Sequence, residues 1–332
     1  MKVCSKCVLD ERFPGIRFGE DGVCDVCYKA GETEDSAEKA RYEQKFGQLV
    51  QEHRGKSRYD CLVAYSGGKD STYTLHLLKN RYDLRLLAFS FDNWFQSETA
   101  DRNIQAVLRN MNIDHLTIRP SFDEFRRIVL ASMSKDVYSV KSLARASAIC
   151  TSCISLIRFA GFRMALDEEI PFLAFGMSPG QASLATAVVK TNARMIRSMQ
   201  EALLGSLVPR AGEFVRRFFL EERHFAKAEA FPYSINPLAF TDYDEEAIFR
   251  IAGTYGWKKP ADTDANSTNC LLNAFANQIH VENHGVNPYT YEIAVLVRIG
   301  CITRAEGLKR LAERPPTEQV RAIQRKLGIA SC

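Results

Sequence analysis

The run Ser66-Gly67-Gly68-Lys69-Asp70-Ser71 constrains this chain more than any other stretch. It follows the strand-like Tyr59-Asp60-Cys61-Leu62-Val63-Ala64-Tyr65 and opens a helix-like run from Thr72 to Asn80. A glycine-rich turn between strand and helix is a phosphate cradle. Glycine lets backbone N–H groups converge, and the helix N-terminus adds positive potential. The loop is not a Walker A loop, because no glycine stands where G-x-x-x-x-G-K-[ST] requires the first one. An ordinary turn between a strand and a helix is the plainer alternative.

From residue 59 the pattern alternates. Strand-like runs fall at 60–64, 85–91, 114–118 and 171–175, and helix-like runs at 71–80, 98–110, 122–133 and 147–168. This alternation predicts an α/β fold, a doubly wound parallel sheet with helices on both faces. Ligands of such sheets bind at the carboxyl ends of strands, so the loops after Phe91 and Phe175 belong beside the glycine loop. Residues 191–228 read as helical and are rich in arginine and phenylalanine, and the tail from Tyr243 also reads as helical. Thr303-Arg304-Ala305-Glu306 has the form of a capping box, and Pro315-Pro316 separates the last two helices. The expected division is a zinc ribbon at 1–30, a helical linker at 31–56, the nucleotide domain at 57–285 and a C-terminal helical region at 286–332.

Cys4-x-x-Cys7 and Cys24-x-x-Cys27 stand sixteen residues apart, the spacing of four-thiolate zinc sites. Gly15, Gly19 and Gly22 supply the turns between the two knuckles. Four sulfurs leave no open position, so such a site is structural, and its metal supplies folding energy that so small a piece lacks. Two disulfides, a rubredoxin-like iron or four unrelated cysteines are the competing readings. The start of the chain shows no apolar signal segment, and no apolar run reads as long enough to span a bilayer. With seven of its ten cysteines in two groups, the expectation is a cytoplasmic protein using thiols for metal or redox chemistry.

A second set consists of Cys150-Thr151-Ser152-Cys153 at the start of a predicted helix and Cys270 after the polar stretch 262–269. Cysteines at i and i+3 share a helix face. Three thiolates can hold a [4Fe-4S] cluster by three irons and leave the fourth open to a hydrosulfide or substrate atom. A second zinc, a redox dithiol or core cysteines remain open as alternatives. His280 and His284 could share a metal at i, i+4 but lack an evident third ligand.

Ser66 to Ser71 resembles the SGG-x-DS signature of PP-loop ATP pyrophosphatases, the adenine nucleotide alpha hydrolase-like fold. That resemblance implies cleavage of ATP to AMP and pyrophosphate with adenylation of a substrate oxygen. With Cys150, Cys153 and Cys270, the stretch from Tyr59 to Asn273 resembles the iron–sulfur-dependent tRNA thiolases, which implies cluster ligation by those three residues and replacement of the oxygen by sulfur. The N-terminal module with Gly22-Val23-Cys24, and the tail around 296–304, are similar to the N-acetyl sugar amidotransferases. These use ammonia to form an acetamidino group on a cell-surface sugar.

Both resemblances imply the same first half-reaction. Ser66, Gly67, Gly68 and Ser71 would cradle the phosphates, Lys69 would add positive charge, and Asp70 would orient the loop or a Mg2+ ion. Phe89, Ser90 and Phe91 would hold the adenine, with Asp92 and Asn93 facing substrate or ribose. Gly176 and the loop to Gln181 form a candidate third wall. The implied cofactors are ATP, Mg2+, Zn2+ and a [4Fe-4S] cluster. The acceptor is open among tRNA, a small metabolite and a nucleotide-sugar. A sulfur- or ammonia-donating partner protein, a homodimer and no membrane are further expectations. Net charge is only +4, and arginines 194, 197, 210, 216, 217 and 223, the residues that could form a basic face for RNA, are interleaved with glutamates.

Overall fold

The computed structural model describes residues 2–30, 36–263 and 267–329. The start of the expected linker, the middle of the polar stretch before Cys270 and Cys332 lie outside the described residues. Six strands form one sheet in the order β3-β2-β1-β4-β6-β5. They are β1 Cys61–Ala64, β2 Leu86–Phe91, β3 Asp114–Ile118, β4 Phe172–Phe175, β5 Val188–Lys190 and β6 Tyr233–Ile235. All neighbours pair in parallel except β5 with β6.

The register shows why these apolar runs become central strands. Cys61 lies between Leu86 and Phe172, and Leu62 between Leu87 and Leu173. Alternate residues point to opposite faces. Cys61, Val63, Leu86, Ala88, Phe172 and Ala174 pack into one core, while Leu62, Leu87, Phe89 and Leu173 pack into the other. Both faces of these central strands are dry, as a parallel sheet covered by helices requires. The doubly wound α/β expectation is met.

Helices Lys69–His76, Glu98–Met111, Phe122–Ala131 and Ala148–Asp167 occupy the expected positions. Three readings need correction. The 191–228 run is one helix only to Ala211. Gly212, with φ +116°, ends it, and a short 3-10 helix and a four-residue α-helix follow. The helix Ser36–His53 is not merely a surface connector, because it buries Phe46, Leu49 and Val50 in the sheet's core. Ala148–Asp167 is, by length and composition, apolar enough to cross a membrane, contrary to the expectation that no such run exists. Half of it is buried, and it packs across β1 and β4. That is the position of a central helix, whose all-round apolarity follows from its surroundings.

Just before β1, Asp60 is fully buried and accepts from Gly55 N at 2.7 Å, Arg85 N at 2.8 Å and the Arg85 guanidinium. Burial alone would raise its pKa, but the Arg85 and backbone donors win and hold the carboxyl below its ordinary value. A depressed carboxyl stabilises the fold above the unfolded pKa of about 3.9 and stops doing so as pH falls through the folded value. Asp60→Asn is expected to cost about 2 kcal/mol at neutral pH, with Arg85 half exposed and screened. The gap between variant and wild type in urea titrations should close on acidification below about pH 4.

The C-terminal helices Thr290–Arg298 and Arg304–Ala312 carry the N-terminal ribbon. Val8, Leu9, Phe13 and the four ribbon cysteines pack with Ile293 and Ala294. The Arg304 guanidinium donates to the carbonyls of Cys4 and Cys7 at 2.9–3.0 Å. Thr303 caps its helix by accepting from Glu306 N at 3.1 Å, while Glu306 turns to Arg310 rather than back to the cap.

Candidate active site

Strand order reverses between β1 and β4, and at that switch point the crevice outside the strand ends is open to a ligand. A cavity of about 440 Å³ fills it. Ala64, Tyr65 and Ser66 form one edge, Phe175, Gly176 and Met177 another, and Phe89, Ser90 and Phe91 a third. The expected loops thus converge.

The glycine loop is built for close backbone approach. Gly67 has φ +74°, and a Cβ there would stand 2.6 Å from Ala100 O. The Gly67 carbonyl accepts from Trp257 Nε1 at 2.8 Å. Gly68 is the extended N-cap of Lys69–His76, and Ser71 Oγ lies 3.2 Å from Ser66 Oγ. Gly176 is fixed by contact, since a Cβ would meet Ser71 Cα at 2.5 Å and Ser71 N at 2.7 Å. The candidate third wall therefore lies directly against the loop's helix.

Lys69 and Asp70 hold each other beside the loop. Neither lines the cavity. Lys69 Nζ is held by Asp70 at 2.9 Å, Tyr243 OH at 2.6 Å and Glu245 at 3.3 Å. Burial alone would lower the ammonium's pKa, yet Asp70 and Glu245 keep it above its ordinary value. The charge expected at the phosphates is thus balanced by two carboxylates. Asp92 is also turned aside, because it caps Trp94 N and pairs with Arg119. Ser90 lines the cavity while its hydroxyl bonds Tyr65 O at 2.6 Å and His115 at 2.8 Å.

The second cysteine set is brought together on the cavity wall. Ser147 caps the helix by accepting from Cys150 N at 3.2 Å. An antiparallel bridge of Cys270 with Gln96, with Ser97 N to Asn269 O at 2.9 Å, closes the long sequence gap. Asn93 Nδ2 donates to Cys270 Sγ at 3.5 Å and Cys153 Sγ at 3.7 Å. Burial raises the Cys153 and Cys270 thiols, Cys270 adds to the effect at Cys153, and Asn93 offsets part of it at both.

The N-terminal thiols form a different site. Cys4, Cys7, Cys24 and Cys27 are buried with all four sulfurs within 4.8 Å of one another. Cys4 to Cys27 is 3.9 Å and Cys7 to Cys24 is 3.8 Å. A tetrahedral zinc with bonds of about 2.3 Å sets its sulfurs about 3.8 Å apart, so the residues fit the ion. Burial opposes ionisation at Cys4, Cys7 and Cys27. At Cys4 the N–H groups of Cys7 and Cys24 overcome it and bring the thiol to about 7, whereas Cys27 is left at about 11. Cys150, Cys153 and Cys270 are not gathered so tightly. His280 is pushed down to about 4 by burial, then by His284, and the pair joins no metal-sized group among the described residues.

Several cavity residues gave no sequence signal. Glu292 accepts from Ser178 Oγ at 2.8 Å and is packed against Gly180. Burial raises its pKa, Ser178 lowers it in part, and the Asp70 charge raises it further. Arg145, Arg158 and Tyr291 also line the wall. Of the arginines expected as a basic face, 197, 210, 216, 217 and 223 each pair with a carboxylate.

No family model matches the chain. An uncharacterized protein of Methanocaldococcus jannaschii is 23% identical over 272 residues, covering 82% of this chain and 79% of that protein. A U34-tRNA thiolase of Methanococcus maripaludis, solved with its [4Fe-4S] cluster, is 17% identical at a TM-score of 0.37, covering 100% of this chain and 99% of that one. An NMN synthetase from Francisella tularensis is 12% identical at a TM-score of 0.38, covering 89% and 98%. At those TM-scores neither structural likeness carries an argument about this chain.

Proposed function

We propose that the protein is a cytoplasmic PP-loop enzyme that splits ATP into AMP and pyrophosphate, adenylates a substrate oxygen and replaces that oxygen with sulfur. The observation that carries the reading is a single cavity at the sheet's switch point, walled by Ser66 and Ser71 on one side and by Cys150, Cys153 and Cys270 on another. In this reading the loop amides and the Ser66 and Ser71 hydroxyls bind the leaving pyrophosphate. Phe89 and Phe91 shape the adenine end. Lys69, held by Asp70, Glu245 and Tyr243, fixes the loop's first helical turn. Mg2+ would reach the site with the nucleotide's phosphates.

The three thiols share one cavity wall and supply three ligands, the number that leaves one iron of a [4Fe-4S] cluster open. Held by Cys150, Cys153 and Cys270, a [4Fe-4S] cluster supplies an open iron that can carry sulfide. The protein's part would be to hold these thiols on the wall of the loop's cavity and orient two of them through Asn93. The neutralised arginine run gives no support to an extended RNA surface there, which favours a small acceptor.

Anaerobic purification with metal and sulfide analysis tests this proposal. About four irons and one zinc per chain are expected. Cys150→Ala should lose the iron and retain the zinc. Iron-free protein that is fully active with ammonia would replace the sulfur reading with that of a sugar amidotransferase.

A further inference from the structure

The cavity wall carries two arginines, Arg145 and Arg158. Arg158 sits on Ala148–Asp167, on the face that also presents Cys150, Ile154 and Ile157 to the cavity. Its contacts are the Phe175 ring at 5.9 Å and Met199 Sδ at 4.0 Å, and it forms no ion pair among the described residues. Burial alone pulls its pKa down. Arg145 lines the same cavity, donates to Tyr291 OH at 3.2 Å and stacks on that ring at 4.5 Å. The acidic residue on the described wall is Glu292, already bonded to Ser178 and shifted toward its neutral form.

A guanidinium taken from water without a counter-charge costs several kcal/mol. Arg12, Arg85, Arg119 and Arg310 all have carboxylates. A half-buried arginine that has none, and lines a cavity, is a preformed oxyanion site. Its place narrows the choice of ligand. With the nucleoside near Phe89 and Phe91 on β2, Arg158 stands beside Phe175 of β4, two strands over in the sheet. Along the helix it is about 7.5 Å from Cys153, at 1.5 Å per residue. An anion there would hold the acceptor's reacting end between the loop and the thiols.

We propose that Arg158, assisted by Arg145, binds an oxyanion of the acceptor, a phosphate ester or a carboxylate, on the β4 side of the cavity. The inference rests on the ATP reading of this cavity, and its test separates the two. Inorganic phosphate and acetate are titrated calorimetrically into the full-length protein, with and without α,β-methylene-ATP, for wild type, Arg158→Met and Arg158→Lys. Arg158→Met should weaken phosphate or acetate binding at least about tenfold, the scale of a charge-assisted bond, while the lysine variant keeps most of it. Affinity for the nucleotide analogue should stay within about twofold of wild type. The ligand-free Tm of Arg158→Met should rise by roughly 2–4 °C as an uncompensated charge is removed, where a structural arginine would lower it. Unchanged anion binding, or a lowered Tm, would overturn the proposal. A parallel loss of nucleotide affinity would also overturn it, by assigning Arg158 to the α-phosphate. Wild-type protein that ignores the analogue would sink the ATP reading, and the anion titrations without nucleotide would then decide the subsite alone.

Discussion

Cys24→Ala is expected to release the N-terminal metal, unfold residues 2–30 and lower AMP formation by about 10²-fold. The first two effects follow from burial and geometry. The four thiols, all buried, are the centre of the ribbon's small core, and a structural zinc site of this kind contributes most of its module's folding free energy. The third effect follows from what the ribbon touches. It packs on Ile293 and Ala294, and Arg304 clamps the carbonyls of Cys4 and Cys7. The same helix presents Tyr291 and Glu292 to the cavity. Freeing that helix misplaces the wall, and a displacement of about 1 Å at a reacting centre can cost about 10² in rate. Hydrogen exchange would show protection lost across 2–30 and weakened at 290–298, with β1 to β4 unchanged. Full protection at 290–298 with activity retained would show that the ribbon serves something other than the cavity.

Gly67→Ala should cost about 10²–10³-fold in the same reaction with little change in nucleoside binding. Its φ of +74° is unfavourable for any side chain, and the new Cβ would lie 2.6 Å from a helix carbonyl that cannot move freely. The loop must shift, and its N–H groups would leave the positions where charge develops on the leaving pyrophosphate. Adenosine binding, governed by the β2 end, reports separately that the fold is intact. Gly15, Gly55 and Gly300 also have positive φ but face open space, so alanine at those sites should leave the rate unchanged.

Much of this molecule was readable from the chain because its central strands are short, apolar and bracketed by turn residues. β1 to β4 fall within a residue of the sequence reading, and both cysteine sets converge in space. β5 and β6 were not readable. Val188–Lys190 and Tyr233–Ile235 are three residues each, too short for a period of two to stand out, and they exist because β4 offers an edge. What holds Lys69 and Asp70 was not readable for a related reason. The motif gives residue types, but Tyr243 and Glu245, distant in sequence, decide where the lysine points. Arg158 and Glu292 carry no motif at all. A cationic or acidic side chain on a helix reads as solvated until the tertiary fold shows that its surroundings are a cavity.

The most direct test is the fate of ATP labelled on its α-phosphate. The anaerobically purified protein, with Gly67→Ala as control, is incubated with that nucleotide, Mg2+ and protein-free extract as the source of acceptor. The account predicts labelled AMP with one equivalent of pyrophosphate, and almost none from the variant. Labelled ADP with orthophosphate would contradict it, as would equal AMP from both proteins.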